Sequence, residues 1–243
     1  MAKKNKKANF SEGIGSFTLA ILLALTIRWA LIEAYVIPSG SMLPTLLIHD
    51  HIFVNKLVYG LRVPFLKTWL LKWHEPKTGE VIVFRYPEDE STFFIKRVIG
   101  TPGDKLQYED GDLYINGQKI ESELAQDPTD MDWLRDVDLS GGKSSYNLLT
   151  EKLPDHPHSI LLHKLAMLPG ISPPLEVPPD HLFVMGDNRH NSNDSRFWGF
   201  VPMENIIGRA MFVWLSCEET IPFIPFICDP TTLRWRRFGH SIN

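Results

Sequence analysis

Pro38-Ser39-Gly40-Ser41-Met42-Leu43-Pro44-Thr45 divides this 243-residue chain into two unlike parts. Two prolines fix φ and remove backbone N–H donors, so the run is neither a regular helix nor a central strand. Rigid loops of this kind display reactive side chains, which makes Ser41 a candidate nucleophile; an ordinary polar turn is the plainer reading. Downstream, 18 prolines and 16 glycines across the chain, with short β-branched and aromatic runs between them, predict a mainly β body with antiparallel sheet.

Upstream, residues 13 to 32 are apolar apart from Ser16, Thr18, Thr26 and Arg28. About 20 residues make a helix of about 30 Å, the thickness of a bilayer core, so an N-terminal transmembrane helix is expected. Lys3, Lys4, Lys6 and Lys7 in the polar tail, residues 1–12, place the N-terminus on the cytoplasmic side and the body on the extracytoplasmic face of the inner membrane. Arg28 can snorkel beside Trp29. A cleaved leader is the competing reading, but Arg28-Trp29-Ala30 and Ile32-Glu33-Ala34 lack a clean small-x-small site. Only nine residues separate Ile32 from Ser41, so the serine lies within roughly 30 Å of the membrane.

Beyond the anchor the net charge of −4 becomes more negative, with 27 acidic against 20 basic residues after position 37, which argues against nucleic acid as a partner. Alternation predicts strands over 50–59, 79–86, 93–99, 182–189 and 206–215, and an Asn116-Gly117 turn predicts a hairpin over 113–120. Residues 33–120 and 180–243 thus form one β-domain. Residues 121–179 read as an inserted second domain, β-rich, with a hairpin of 146–153 and 159–165. Two stretches are open to lipid contact or simple packing: Val63–Trp73, and 221–227 with the basic tail Arg234, Arg236 and Arg237. Cys217 and Cys228 form either a disulfide or two buried thiols. His49-Asp50-His51 has two metal-capable rings but no third ligand in view, so no metal is expected.

Three blocks carry the chemistry: Pro-Ser-Gly-Ser-Met-x-Pro-Thr (38–45), Ile-Lys-Arg (95–97) followed by Pro-Gly-Asp (102–104), and Gly-Asp-Asn-Arg-x-Asn-Ser-x-Asp-Ser-Arg (186–196). In this order behind an anchor, they resemble the bacterial type I signal peptidases, membrane-bound serine proteases that remove signal peptides from exported proteins. A serine nucleophile needs a base. His190 with Asp187 or Asp194 would make a conventional triad. The resemblance instead implies Ser41 as nucleophile and Lys96 as general base.

At the usual lysine pKa only about one side chain in 2,500 is neutral at pH 7, so Lys96 must be desolvated, and reaching pKa 7 would cost about 5 kcal/mol. Phe93, Phe94, Ile95, Val98 and Ile99 supply apolar surroundings, with Phe94 and Val98 on the lysine's face by alternation. An exposed basic pair on an edge strand is the plain alternative for Lys96-Arg97.

The resemblance further implies that Ser39 and the Ser41 N–H hold the oxyanion and that Ser192 hydrogen-bonds Lys96. Asp194 with Arg196 would support the loop, and Asp187 and Arg97 would have structural roles. Tyr35, Ile37, Pro38, Met42, Phe94 and Ile95 would bind an extended substrate with small side chains, joined as an added strand. His190 replaces an acidic residue common in relatives, and a second membrane segment common in Gram-negative relatives is not found here. The implied partners are signal peptides of secretory preproteins and membrane lipid, with no cofactor and the oligomeric state open. The alternatives are a narrow-substrate Ser/Lys processing protease of pilin or conjugation type, or an inactive membrane-tethered binding domain.

Overall fold

A computed structural model describes residues 15–21, 31–63, 66–109, 111–165, 170–224 and 226–242. Residues 15–21 are helical and exposed. The rest of the expected anchor up to position 30 lies outside the described residues. No helix among the described residues is long and apolar enough to cross a membrane. Ile32, the expected last residue of the span, belongs to a strand instead.

The strands are β1 (Ile32–Val36), β2 (Asp50–Asn55), β3 (Gly60–Arg62), β4 (Trp69–Lys72), β5 (Val81–Arg85), β6 (Phe93–Gly100), β7 (Lys105–Glu109), β8 (Asp112–Ile115) and β9 (Gln118–Lys119). They continue with β10 (Ser122–Leu124), β11 (Tyr146–Leu153), β12 (His156–His163), β13 (Ile171–Glu176), β14 (His181–Met185), β15 (Val201–Pro202), β16 (Ile206–Ser216) and β17 (His240–Ser241). The main sheet runs β1-β2-β16-β5-β6-β14-β15, with β17 on β16, and every ladder in it is antiparallel. Non-adjacent segments are therefore brought together: β6, with Lys96, lies between β5 and β14.

Alternation along β5 divides the core. Val81 and Val83 pack with Ile37, Met42, Leu46 and Val213, whereas Ile82 and Phe84 pack with Val98, Val184 and Leu182 on the other face. The Asn116-Gly117 turn has positive φ at both residues, 54° and 79°, as a type I′ hairpin requires. Residues 121–179 do not stand apart. Leu148 and Leu161 of the inserted hairpin share a core with Leu43 and Leu47 of the serine loop, and β13 returns to pair with β7. Cys217 and Cys228 are bridged, with S–S 2.04 Å. The C-terminal cations are not a solvated tail: Arg234 and Arg237 are buried, and only Arg236 is exposed.

Candidate active site

The serine loop is seated by its own apolar residues. Gly40–Met42 form a single 3-10 turn after extended Ser39, and Met42, Leu43, Leu46 and Leu47 are all buried beneath it. Burying four such side chains contributes roughly 1.5–3 kcal/mol each, which fixes a loop that lacks sheet partners. Asp50 reinforces it, accepting from the Leu47 N–H at 2.9 Å, Ser216 Oγ at 2.6 Å and Arg237 Nη2 at 2.7 Å. Arg237 Nη2 also donates to the Thr45 carbonyl at 3.0 Å.

Lys96 Nζ stands 2.7 Å from Ser41 Oγ and 2.9 Å from the Ile95 carbonyl oxygen. The lysine is 4% exposed and the serine 8%. In register Lys96 faces Ile82, two residues from the Phe84–Phe94 pair, and its ammonium lies 5.3 Å from the Phe94 ring centroid. Burial brings its pKa down to about 8, against the opposing charges of Asp194 and Asp187. About a tenth of the lysine is then neutral at pH 7, against about one part in 2,500 in water. Ser39 Oγ is 3.5 Å from Ser41 Oγ.

The segment 186–196 closes the site from the other side. Gly186 is required by close approach: a Cβ there would lie 2.4 Å from the Ser41 carbonyl oxygen and 2.3 Å from Ser192 Oγ. Asn188 clamps the serine turn, its backbone N–H donating to the Ser41 carbonyl at 3.1 Å and its Nδ2 to the Gly40 carbonyl at 3.0 Å. Asp187 accepts Arg97 Nε at 2.9 Å, Arg97 Nη2 at 2.8 Å and Thr45 Oγ1 at 2.5 Å. Asp194 accepts both Arg196 Nε and Nη2 at 2.8 Å and the Gly186 N–H at 3.0 Å. Burial raises the pKa of each carboxyl, but Arg97 and Arg196 outweigh it and hold Asp187 and Asp194 below the usual carboxylate range.

A family model described as "Signal peptidase, peptidase S26" matches residues 11–215. The chain belongs to the signal peptidase S26 family. Relatives named signal peptidase I include one from Pseudomonas aeruginosa, 38% identical over 90% of this chain and 77% of its own length, and one from Pseudomonas fluorescens, 40% identical over 89% and 76%. Another, from Rickettsia typhi, is 37% identical over 90% of this chain and 86% of its own. A signal peptidase I structure from Enterococcus faecalis aligns at 29% identity and a TM-score of 0.34, covering 56% of this chain and 97% of that one, too loose a likeness for comparing folds. Membership makes the chain a peptidase, hence a hydrolase.

Most residues expected of a signal peptidase site meet here. Ser41, Lys96, Ser39, Asp187, Arg97, Asp194 and Arg196 converge as described. Ser192 is the exception: its hydroxyl makes no hydrogen bond to Lys96 and lies by Asp194 instead, while Lys96 Nζ meets Ser41 Oγ and the Ile95 carbonyl. The histidine alternative is not assembled, since His190 Nδ1 accepts the His163 N–H at 2.9 Å and both aspartates are held by arginines. Of the apolar set, Ile37 and Met42 are core residues beneath the surface, whereas Tyr35, Phe94 and Ile95 are part-exposed and Pro38 is exposed. His49 and His51 bond carbonyls of Glu218 and Phe226, and Asp50 between them turns inward to Arg237. Asn188, Thr45 and Arg237 were missed. Asn188 lies inside the third block, where its spacing gives no hint of a clamp, and Arg237 lies 192 residues from Thr45.

Proposed function

We propose that this signal peptidase family member is a membrane-anchored serine endopeptidase that removes N-terminal signal peptides from exported preproteins after small-x-small sites. The observation that carries this reading is the 2.7 Å contact between Lys96 Nζ and Ser41 Oγ in a buried site. Neutral Lys96 takes the Ser41 proton as Oγ attacks the scissile carbonyl. The Ser41 N–H and Ser39 Oγ stabilise the oxyanion. The lysinium then protonates the leaving amine, and water, deprotonated by Lys96, hydrolyses the acyl-enzyme.

An extended substrate adds to the outer edge of β1, whose only ladder partner among the described residues is β2. Tyr35 and Phe93, with ring centroids 5.8 Å apart, bridge from that edge to β6. Part-exposed Phe94 and Ile95 and exposed Pro38 line the groove, and Ile37 and Met42 support its floor. An anchor ending near Leu31 keeps the serine at the bilayer surface, where an apolar signal sequence ends. The Cys217–Cys228 bridge suits an extracytoplasmic catalytic domain.

The test is cleavage of a preprotein with an Ala-x-Ala site, in detergent, by wild type, Ser41→Ala, Lys96→Ala and His190→Ala, with folding checked by circular dichroism. Loss of cleavage in the first two variants alone supports the Ser/Lys reading. Activity in Lys96→Ala with loss in His190→Ala would replace it with a histidine base. An inert wild type would favour a narrower substrate range or a binding role.

A further inference from the structure

The inserted hairpin buries a charged group against the catalytic loop. Glu151 on β11 and His158 on β12 face each other in register and are 2% and 7% exposed. Glu151 pairs with both terminal nitrogens of Arg189, at 2.6 and 2.5 Å, and the Arg189 side chain is fully buried. His158 Nε2 lies 3.4 Å from Glu151 and 3.8 Å from Asp187. An inserted hairpin needs no buried carboxylate to fold, and an ion pair of this kind is at best neutral for stability against apolar packing. Its position suggests what it is for.

β12 reaches the catalytic loop through the backbone. The Leu161 N–H donates to the Asp187 carbonyl at 2.9 Å and the Arg189 N–H to the Leu161 carbonyl at 3.1 Å. Asn188, between those two bonds, makes both contacts to the serine turn. A continuous path thus runs from Glu151 through Arg189 and Asn188 to Ser41. The charges along it balance, with Arg97 and Arg189 against Asp187 and Glu151, so the network is neutral when His158 is.

We infer that Glu151 is a positioning residue for the Ser41–Lys96 pair: it fixes Arg189, which holds Asn188 against the Gly40 and Ser41 carbonyls and so sets the place of Ser41 Oγ before Lys96. This rests on the Ser/Lys reading above. On this view the insertion is part of the catalytic apparatus, although it supplies no reacting atom.

The experiment compares full-length wild type, Glu151→Gln, the double variant Glu151→Met with Arg189→Met, Lys152→Ala on the exposed side of β11, and Ser41→Ala, all in detergent on a peptide with an Ala-x-Ala site. A displacement of about 1 Å costs on the order of a hundredfold. Glu151→Gln should therefore lose tenfold to a hundredfold in kcat, with KM changed less than about twofold, and Lys152→Ala should match wild type. The double variant has no unpaired buried charge, so it should recover the wild-type melting temperature but not kcat. Recovery of wild-type kcat by the double variant, or unchanged kcat in folded Glu151→Gln, overturns the inference. Activity in Ser41→Ala would instead remove the catalytic reading beneath it.

Discussion

Lys96 carries a large electrostatic cost, because a charge that water solvates freely is held against Phe94 and Ile82. Its pKa of about 8 has two observable consequences. In the proposed mechanism only the neutral amine accepts the Ser41 proton, so kcat/KM should rise about tenfold per pH unit below pH 8 and level off above it, as an initial-rate profile would reveal. Stability should follow the same group. The folded pKa lies below the unfolded value of about 10.4, so the burial cost is full below pH 8 and is relieved as pH rises towards the unfolded value. Lys96→Met should therefore be inactive yet more stable at pH 7 by about 3 kcal/mol, a gain that chemical denaturation should show vanishing above about pH 10. No gain at pH 7 would mean that the lysine is better solvated than its burial implies. The burial of Lys96 and the irregular loop of Ser41 were legible in local pattern, an apolar strand and a proline-bracketed turn, whereas their pairing was expected only from the family resemblance. The setting of Ser192 beside Asp194 rather than Lys96 was not legible, since spacing does not reveal which way a hydroxyl turns.

At the scale of elements, alternation located β5, β6, β11 and β16 to within two residues, because each has a face buried against a core cluster. It overran β2, which stops at Asn55, where the side-chain Oδ1 takes the Leu57 N–H at 2.9 Å and turns the chain. The expected start of β12 at 159 falls three residues after its true start at His156, and the strand includes Pro157. β12 is the outer strand of its sheet, so a residue without an N–H is tolerated there. Val63–Trp73 contributes β4, which pairs with β3 just before the stretch; Arg62 stacks 4.0 Å over Trp69, and Leu66, Leu70 and Leu71 are exposed. The β11–β12 hairpin carries its own pH signature. Burial first, then Arg97, brings His158 down to about 4, so between pH 6.5 and 4 the unfolded chain binds a proton that the folded one refuses, and stability falls as pH falls. His158→Gln should lose about 3 kcal/mol less than wild type over that interval. Equal losses in the two proteins would place the acid sensitivity elsewhere.

Across the whole molecule, the β architecture was legible from composition and turn spacing, whereas the closure of its two ends on each other was not. Cys217 and Cys228 gave no hint of their state, and the cations of 234–237 read as a tail because the carboxylate that buries Arg237 is Asp50, 187 residues earlier. The bridge closes a short loop, for which chain entropy gives about 3 kcal/mol. Replacing both cysteines by serine should therefore lower the unfolding free energy by about 2–4 kcal/mol, measured in denaturant against the oxidised protein. A change below about 0.5 kcal/mol would show that the Arg234 and Arg237 contacts hold the segment unaided. That the loop of Ser41 rests on Arg237 sets an order of events in the cell. A ribosome makes the serine early and its brace some two hundred codons later, so a growing chain stays proteolytically silent until residue 237 has left the exit tunnel. Nascent chains arrested before Arg234 should fail to process a preprotein that released chains cut.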